Sequence, residues 1–93
     1  MGNPARITKQ PESVMVAKGE MANVSFAATG DGLTYTWYYK SKGMTDFAKT
    51  NSFTGNSYSV AMDATRDGRQ IYCVVKDKYG NCVETDVVTL IMS

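Results

Sequence analysis

Few residues in this chain could do chemistry. Two cysteines stand at positions 73 and 82, and four aspartates, Asp31, Asp63, Asp67 and Asp77, sit in turn-forming segments. Histidine is absent. The side chain that most often serves as general base or metal ligand near neutral pH is therefore missing, and no Ser-His or Cys-His nucleophile pair can be built. A Cys73 nucleophile would have no base, and Cys82 reads as an incidental surface thiol. Two cysteines without further Cys or His partners are a poor zinc set. The aspartates match no dense Asp-x-Asp-x-Asp calcium loop and read as solvated turn carboxylates. Gly30-Asp31-Gly32 lacks the lysine and the following helix of a phosphate loop. A paired-carboxylate glycosidase site needs a groove that so short a chain hardly builds. No catalytic residue, metal site or cofactor is expected, and the chain does not read as an enzyme.

The elements that would position any site must come from one domain, because the chain has 93 residues. With 43% hydrophobic and 20% charged residues it is too apolar to be disordered. Ten basic and nine acidic residues leave a net charge of +1, and no basic block occurs. Nucleic acid and anionic membrane both need concentrated positive charge, so neither is expected as a partner. No apolar run approaches the length of a membrane span, and no membrane insertion is expected. Residues 1–5 read as a cloning remnant or linker, and 6–93 as one domain cut from a longer protein.

Period-2 alternation dominates and helical spacing is almost absent. A first strand, Arg6 to Gln10, is stopped by Pro11, which marks a sheet edge because proline cannot donate to a ladder. A short piece at Ser13 to Val16 follows. Val24 and Phe26 alternate inward along the next strand, then Tyr35 and Trp37, Tyr58 and Val60, and Ile71, Cys73 and Val75. Leu90 completes this expected core. Ser41 to Asn56 is polar and reads as loop with one weak strand near Phe47. Asp63 to Gly68 forms a corner. Asp77 to Asn81 fits a three-residue hairpin loop with Gly80 in the left-handed region, which sets Val75 opposite Val83 and Lys76 opposite Cys82. Val83 and Val88 then have opposite parity, so the last strand must kink near Asp86. Seven or eight short strands predict an all-β, two-sheet antiparallel sandwich.

In that register Tyr38, Tyr72 and Val74 point away from the core on neighbouring strands. Tyrosine gives contact area at low entropic cost, so this stripe is the candidate binding face. It is also what a stabilising cross-strand aromatic pair would look like. Tyr79 at the hairpin tip is a second candidate contact.

Four segments carry a family resemblance. They are Ile7-Thr8-Lys9-Gln10-Pro11 with Val14-Met15-Val16 before Gly19-Glu20; Val24 to Gly30; Leu33-Thr34-Tyr35-Thr36-Trp37-Tyr38; and Asp67-Gly68 through Tyr72-Cys73 with Gly80 and Val88-Thr89-Leu90. Together they resemble an immunoglobulin-like domain of the kind repeated in large surface proteins of Gram-positive bacteria. The resemblance implies an extracellular or cell-surface spacer module, monomeric in isolation, whose partners are neighbouring domains. The alternative it allows is an adhesin or carbohydrate-binding module meeting a host protein or glycan. Phe26 occupies the position of the family's first cysteine, so Cys73 lacks its usual partner. Ile71 stands at the tyrosine-corner position, with Tyr72 one residue late. Cys73 is expected buried and Cys82 exposed on opposite faces, so no disulfide is expected; a slip of the hairpin register would change that.

Overall fold

The computed structural model describes residues 2–93. Ten strand segments occur and no helix is found among the described residues: β1 (Arg6–Lys9), β2 (Val14–Val16), β3 (Met21–Ser25), β4 (Ala27–Thr29), β5 (Thr34–Lys40), β6 (Ala48–Thr50), β7 (Ser57–Ala61), β8 (Arg69–Lys76), β9 (Cys82–Glu84) and β10 (Val88–Met92). One layer runs β2-β10-β8-β5-β6, with β9 also paired to β8. The facing layer is built from β3 with β7 and β1 with β4. The result is an immunoglobulin-like β-sandwich.

Two of the ten segments are continuations of others. β3 and β4 are one strand interrupted at Phe26. There the backbone turns from β7 to β1: Phe26 N–H donates to Asn56 O at 3.2 Å, and Asn56 Nδ2 donates to Phe26 O at 2.6 Å. β9 and β10 both pair with β8 and are separated by a bulge, with Asp86 and Val87 together opposite Tyr72. This is the kink that the parity of Val83 and Val88 requires. Counted this way the sandwich has eight strands.

The pairing is antiparallel with one exception that departs from expectation. After Pro11 the chain crosses to the other layer, and β2 lies parallel to β10 with Leu90 opposite Val14. Gln10 Oε1 accepts from Asp86 N–H at 2.9 Å and Ser13 Oγ accepts from Thr89 N–H at 3.0 Å, which carries the crossing.

The core lies between the layers. Val24, Phe26, Trp37, Tyr58, Ile71, Cys73, Val75 and Leu90 are buried. Tyr35 and Val60, also expected there, are only half-buried against it. Val60 faces a gap between the outer edges of β6 and β7, where no further strand closes the sandwich. Ala5, Ala22, Met62 and Val88 join the core as well. Trp37 is its centre. The edge of Phe26 meets it at a centroid distance of 5.7 Å, Tyr58 lies 5.5 Å away, and Trp37 Nε1 donates to Gly55 O at 2.8 Å, so the indole N–H is not left unpaired.

Residues 3–5 are bonded to the sandwich. Asn3 and Asp31 exchange hydrogen bonds, Asn3 N–H to the Asp31 carboxylate and Asp31 N–H to Asn3 O, and Ala5 packs in the core. Met1 lies outside the described residues.

Candidate functional site

β5 and β8 pair along their whole lengths, with Tyr38 directly opposite Tyr72. Alternation turns Trp37 and Cys73 into the core, so their neighbours Tyr38 and Tyr72 face outward. The two phenol rings stack at 5.2 Å with only 10° between their planes. Phe47, from the segment before β6, meets the edge of Tyr72 at 4.9 Å, and Lys40 Nζ lies 5.4 Å from the Phe47 ring centre. Val74 continues the stripe between Thr36 and Glu84. Tyr38, Phe47, Tyr72 and Val74 are all half-buried. Burial, with Glu84 and then Tyr38 nearby, raises the Tyr72 pKa, so its phenol stays neutral at physiological pH.

Tyr79 is not part of this face. It sits half-exposed at the β8–β9 turn, with its hydroxyl donating to Asp31 Oδ2 at 2.8 Å. That bond to a carboxylate is the main cause of its raised pKa. The turn itself has the expected form: Gly80 has φ +95°, Asp77 N–H donates to Asn81 O at 3.0 Å, and Lys76 pairs with Cys82.

Asp77, by its sequence context a solvated turn carboxylate, is buried in the structure. Its oxygens accept hydrogen bonds from Ala5 N–H at 2.7 Å, Tyr79 N–H at 2.8 Å, Asn81 N–H at 3.0 Å and Asn81 Nδ2 at 3.1 Å. Burial alone would raise its pKa, but these donors outweigh it and the carboxyl lies below its ordinary value. Asp31 is lowered too, first by the Asn3 N–H and then by the Tyr79 hydroxyl. The two aspartates clamp the entering chain to the loops at one end of the sandwich. An Asp opening a turn that ends in Gly signals the local bonds, but not the contact with Ala5.

Cys73 is fully buried and Cys82 exposed, and both are free thiols. Burial pushes the Cys73 thiol up to about 12, which removes nucleophilic character at neutral pH. Ile71 is buried at the tyrosine-corner position, and Tyr72 faces outward. No group of three or more His, Cys, Asp or Glu side chains converges among the described residues.

Two charged residues escaped the sequence reading. Arg66 and Arg69 line the gap beside Val60, together with Tyr39, Thr50, Phe53 and Tyr58. Arg69 shares the inward parity of Ile71 and Cys73, which is the signal that could have singled it out.

Comparison with solved structures supports the architecture. The immunoglobulin domains of Sidekick-1 superpose with a TM-score of 0.73 at 15% identity, covering 99% of this chain and 20% of that one. Dpr11 bound to DIP-gamma matches at 0.72 and 20% identity, covering 99% and 49%. A titin immunoglobulin tandem matches at 0.71 and 21% identity, covering 100% and 49%. The chain thus spans half or less of each of these structures. No protein-family model matches the sequence, and no curated protein matches it. The likeness is one of fold: the chain folds as an immunoglobulin-like β-sandwich.

Proposed function

We propose that this chain is a non-catalytic structural module that sits in line with other domains of a longer protein. One observation carries the reading. The entering chain is clamped at the hairpin end of β8, through Asn3 to Asp31 and Ala5 to Asp77. The leaving chain is bonded at the opposite end of β8, where Met92 N–H donates to Asp67 Oδ1 at 2.9 Å and Gly68 N–H to Leu90 O at 2.8 Å. Entry and exit lie at opposite ends of a body 47 Å long and 23 Å wide, the arrangement that lets modules chain end to end. The neighbouring structures from titin and Sidekick-1 hold several such domains in one chain. A secreted or surface setting, and specifically a Gram-positive one, rests on the sequence resemblance alone.

Small-angle scattering of two copies joined head to tail tests the arrangement. A maximum dimension near twice that of one copy is expected. A particle no longer than a single copy would overturn it.

A second reading assigns Tyr38, Tyr72 and Val74 to a protein or glycan partner. It is favoured by the neighbours Dpr2 and Dpr11, whose structures are complexes with DIP immunoglobulin domains. Chemical-shift mapping against a glycan panel and candidate proteins tests it. Perturbation at Tyr38, Tyr72 and Val74 supports the reading, and its absence removes it.

A further inference from the structure

The gap between the outer edges of β6 and β7 is a cleft of about 230 Å³. That is below the ~300 Å³ at which pockets for drug-sized ligands begin, so the cleft suits one side chain rather than a whole small molecule. Its floor is Tyr58 and Val60, and Arg66 and Arg69 reach into it from the turn before β8 and from its first residue. Among the described residues no carboxylate lines it, although Arg66 is paired with Asp63.

Both guanidinium groups are held in place with hydrogen-bonding capacity to spare. Arg69 donates from Nε to Ser41 Oγ at 2.9 Å and from Nη1 to the Tyr58 hydroxyl at 3.2 Å, and it lies 4.9 Å from the Tyr39 ring centre. These contacts fix its position without neutralising its charge. Arg66 pairs with Asp63 at 2.7 Å and reaches Ala61 O at 3.3 Å, yet its Nε is buried with no partner. The Arg66–Asp63 pair is the one ion pair among the described residues. Arg69 has only neutral partners, so an anion entering the cleft would meet a fixed guanidinium whose charge no carboxylate offsets.

Beside the cleft runs an unpaired strand edge. Met62 exchanges hydrogen bonds with Gly19 and Glu20, toward β3, whereas Arg66 meets Ala61 O from the other side. Alternation then directs the N–H and C=O groups of Ser57 and Ser59 away from β3, where no strand pairs with them.

We propose that the outer edge of β7 and the adjoining Arg66/Arg69 cleft bind an extended peptide segment that adds as a strand to β7 and places an acidic side chain on the two guanidinium groups. Strand addition takes affinity from the backbone ladder and specificity from the pocket beside it. An acidic sugar suits the cleft less well. A pyranose needs a free ring face, but Arg69 covers Tyr39, Tyr58 is buried, and Phe53 packs on Tyr58 at 4.4 Å. The inference does not depend on the end-to-end arrangement.

The test is a heteronuclear NMR titration of the whole chain with three probes: a capped peptide alternating Val and Glu, the same peptide with Gln for Glu, and sodium glucuronate. The Glu peptide is expected to shift the amides of Ser57, Ser59 and Ala61 together with the Arg66 and Arg69 Nε signals, saturably. It should bind about tenfold more tightly than the Gln peptide, the range expected of a hydrogen bond made to a charged group. Arg69→Gln should abolish that difference. Because Arg69 also holds Tyr58, Arg66→Gln serves as a second variant with the same expectation. Ser59→Pro, which removes an outward N–H and leaves both arginines intact, should weaken both peptides. Equal binding of the two peptides, or no β7 shifts with either, overturns the proposal. Arginine shifts with glucuronate alone would overturn it in favour of an acidic saccharide.

Discussion

Cys73 and Thr85 face each other across the β8–β9 ladder at the point where it is about to break. Thr85 N–H donates to Cys73 O at 2.9 Å, and Cys73 N–H donates at 2.9 Å to the Thr85 hydroxyl instead of its carbonyl. The hydroxyl thus supplies the acceptor lost as the chain enters the bulge at Asp86 and Val87. Thr85 is buried, so no water can take over. Thr85→Val should leave a buried N–H unsatisfied and cost about 1–3 kcal/mol in urea denaturation. Thr85→Ser keeps the oxygen and should stay within about 1 kcal/mol of the parent. Equal losses for both variants would assign the effect to packing.

The two thiols should differ sharply in reactivity. Cys82 is exposed, whereas Cys73 is fully buried with its thiol pushed up to about 12. A thiol reagent should modify one site quickly and the other only as fast as the sandwich opens. Reductant should leave the melting midpoint unchanged. A midpoint that drops on reduction would mean that a disulfide forms.

Phe26 packs its ring into the middle of the core. Its ring meets Trp37 edge-on at 5.7 Å and Tyr35 at 5.9 Å, and Trp37 is the register partner of Cys73. Phe26→Ala should cost about 3–5 kcal/mol. Phe26→Leu keeps most of the volume and loses the edge-to-face contacts, each worth about 0.5–1.5 kcal/mol beyond burial. Chemical denaturation of the two variants separates volume from aromatic geometry.

What could be read from the sequence follows the range of the forces involved. Inward parity is local, so Val24, Trp37, Ile71 and Cys73 were legible from alternation alone. So was the bulge near Asp86, because two valines of opposite parity cannot share a face of an unbroken strand. Long-range destinations were not legible. Pro11 signalled a break but not that β2 would cross to lie parallel to β10. Asp77 was recognisable as a turn residue, yet one of its donors, Ala5 N–H, is 72 residues away. The cleft was hidden for the same reason. Ser41 to Asn56 read as loop, but nothing local tells where that loop leaves the sandwich open.

The Asp31–Asp77 clamp predicts acid sensitivity. Both carboxyls lie below their ordinary values in the fold, through the N–H and O–H groups donating to them. Their stabilisation is therefore complete above the unfolded value near ~3.9 and is lost as pH falls through the lower folded values. The melting midpoint of the parent should fall more steeply below about pH 4 than that of an Asp31→Asn, Asp77→Asn double variant. The variant should be less stable at pH 6, and the gap between the two curves should narrow as the pH falls below the ordinary carboxylate range. Parallel curves would remove the clamp from the account of pH dependence.

The Tyr38–Tyr72 stack can be assigned to stability or to recognition by a double-mutant cycle. Stacked rings 5.2 Å apart on paired positions should couple by about 0.5–1.5 kcal/mol in unfolding free energy. Tyr38→Ala, Tyr72→Ala and the double variant, compared by urea denaturation, give that coupling. Phe47 rests on Tyr72 and not on Tyr38 in the same way, so Tyr72→Ala should cost more than Tyr38→Ala. A coupling within this range makes the pair part of what holds β5 to β8, as expected of a cross-strand pair in a small sandwich without a disulfide. A coupling near zero would mean that the two rings do little for the fold, and the face would then be better understood as a surface kept for a partner.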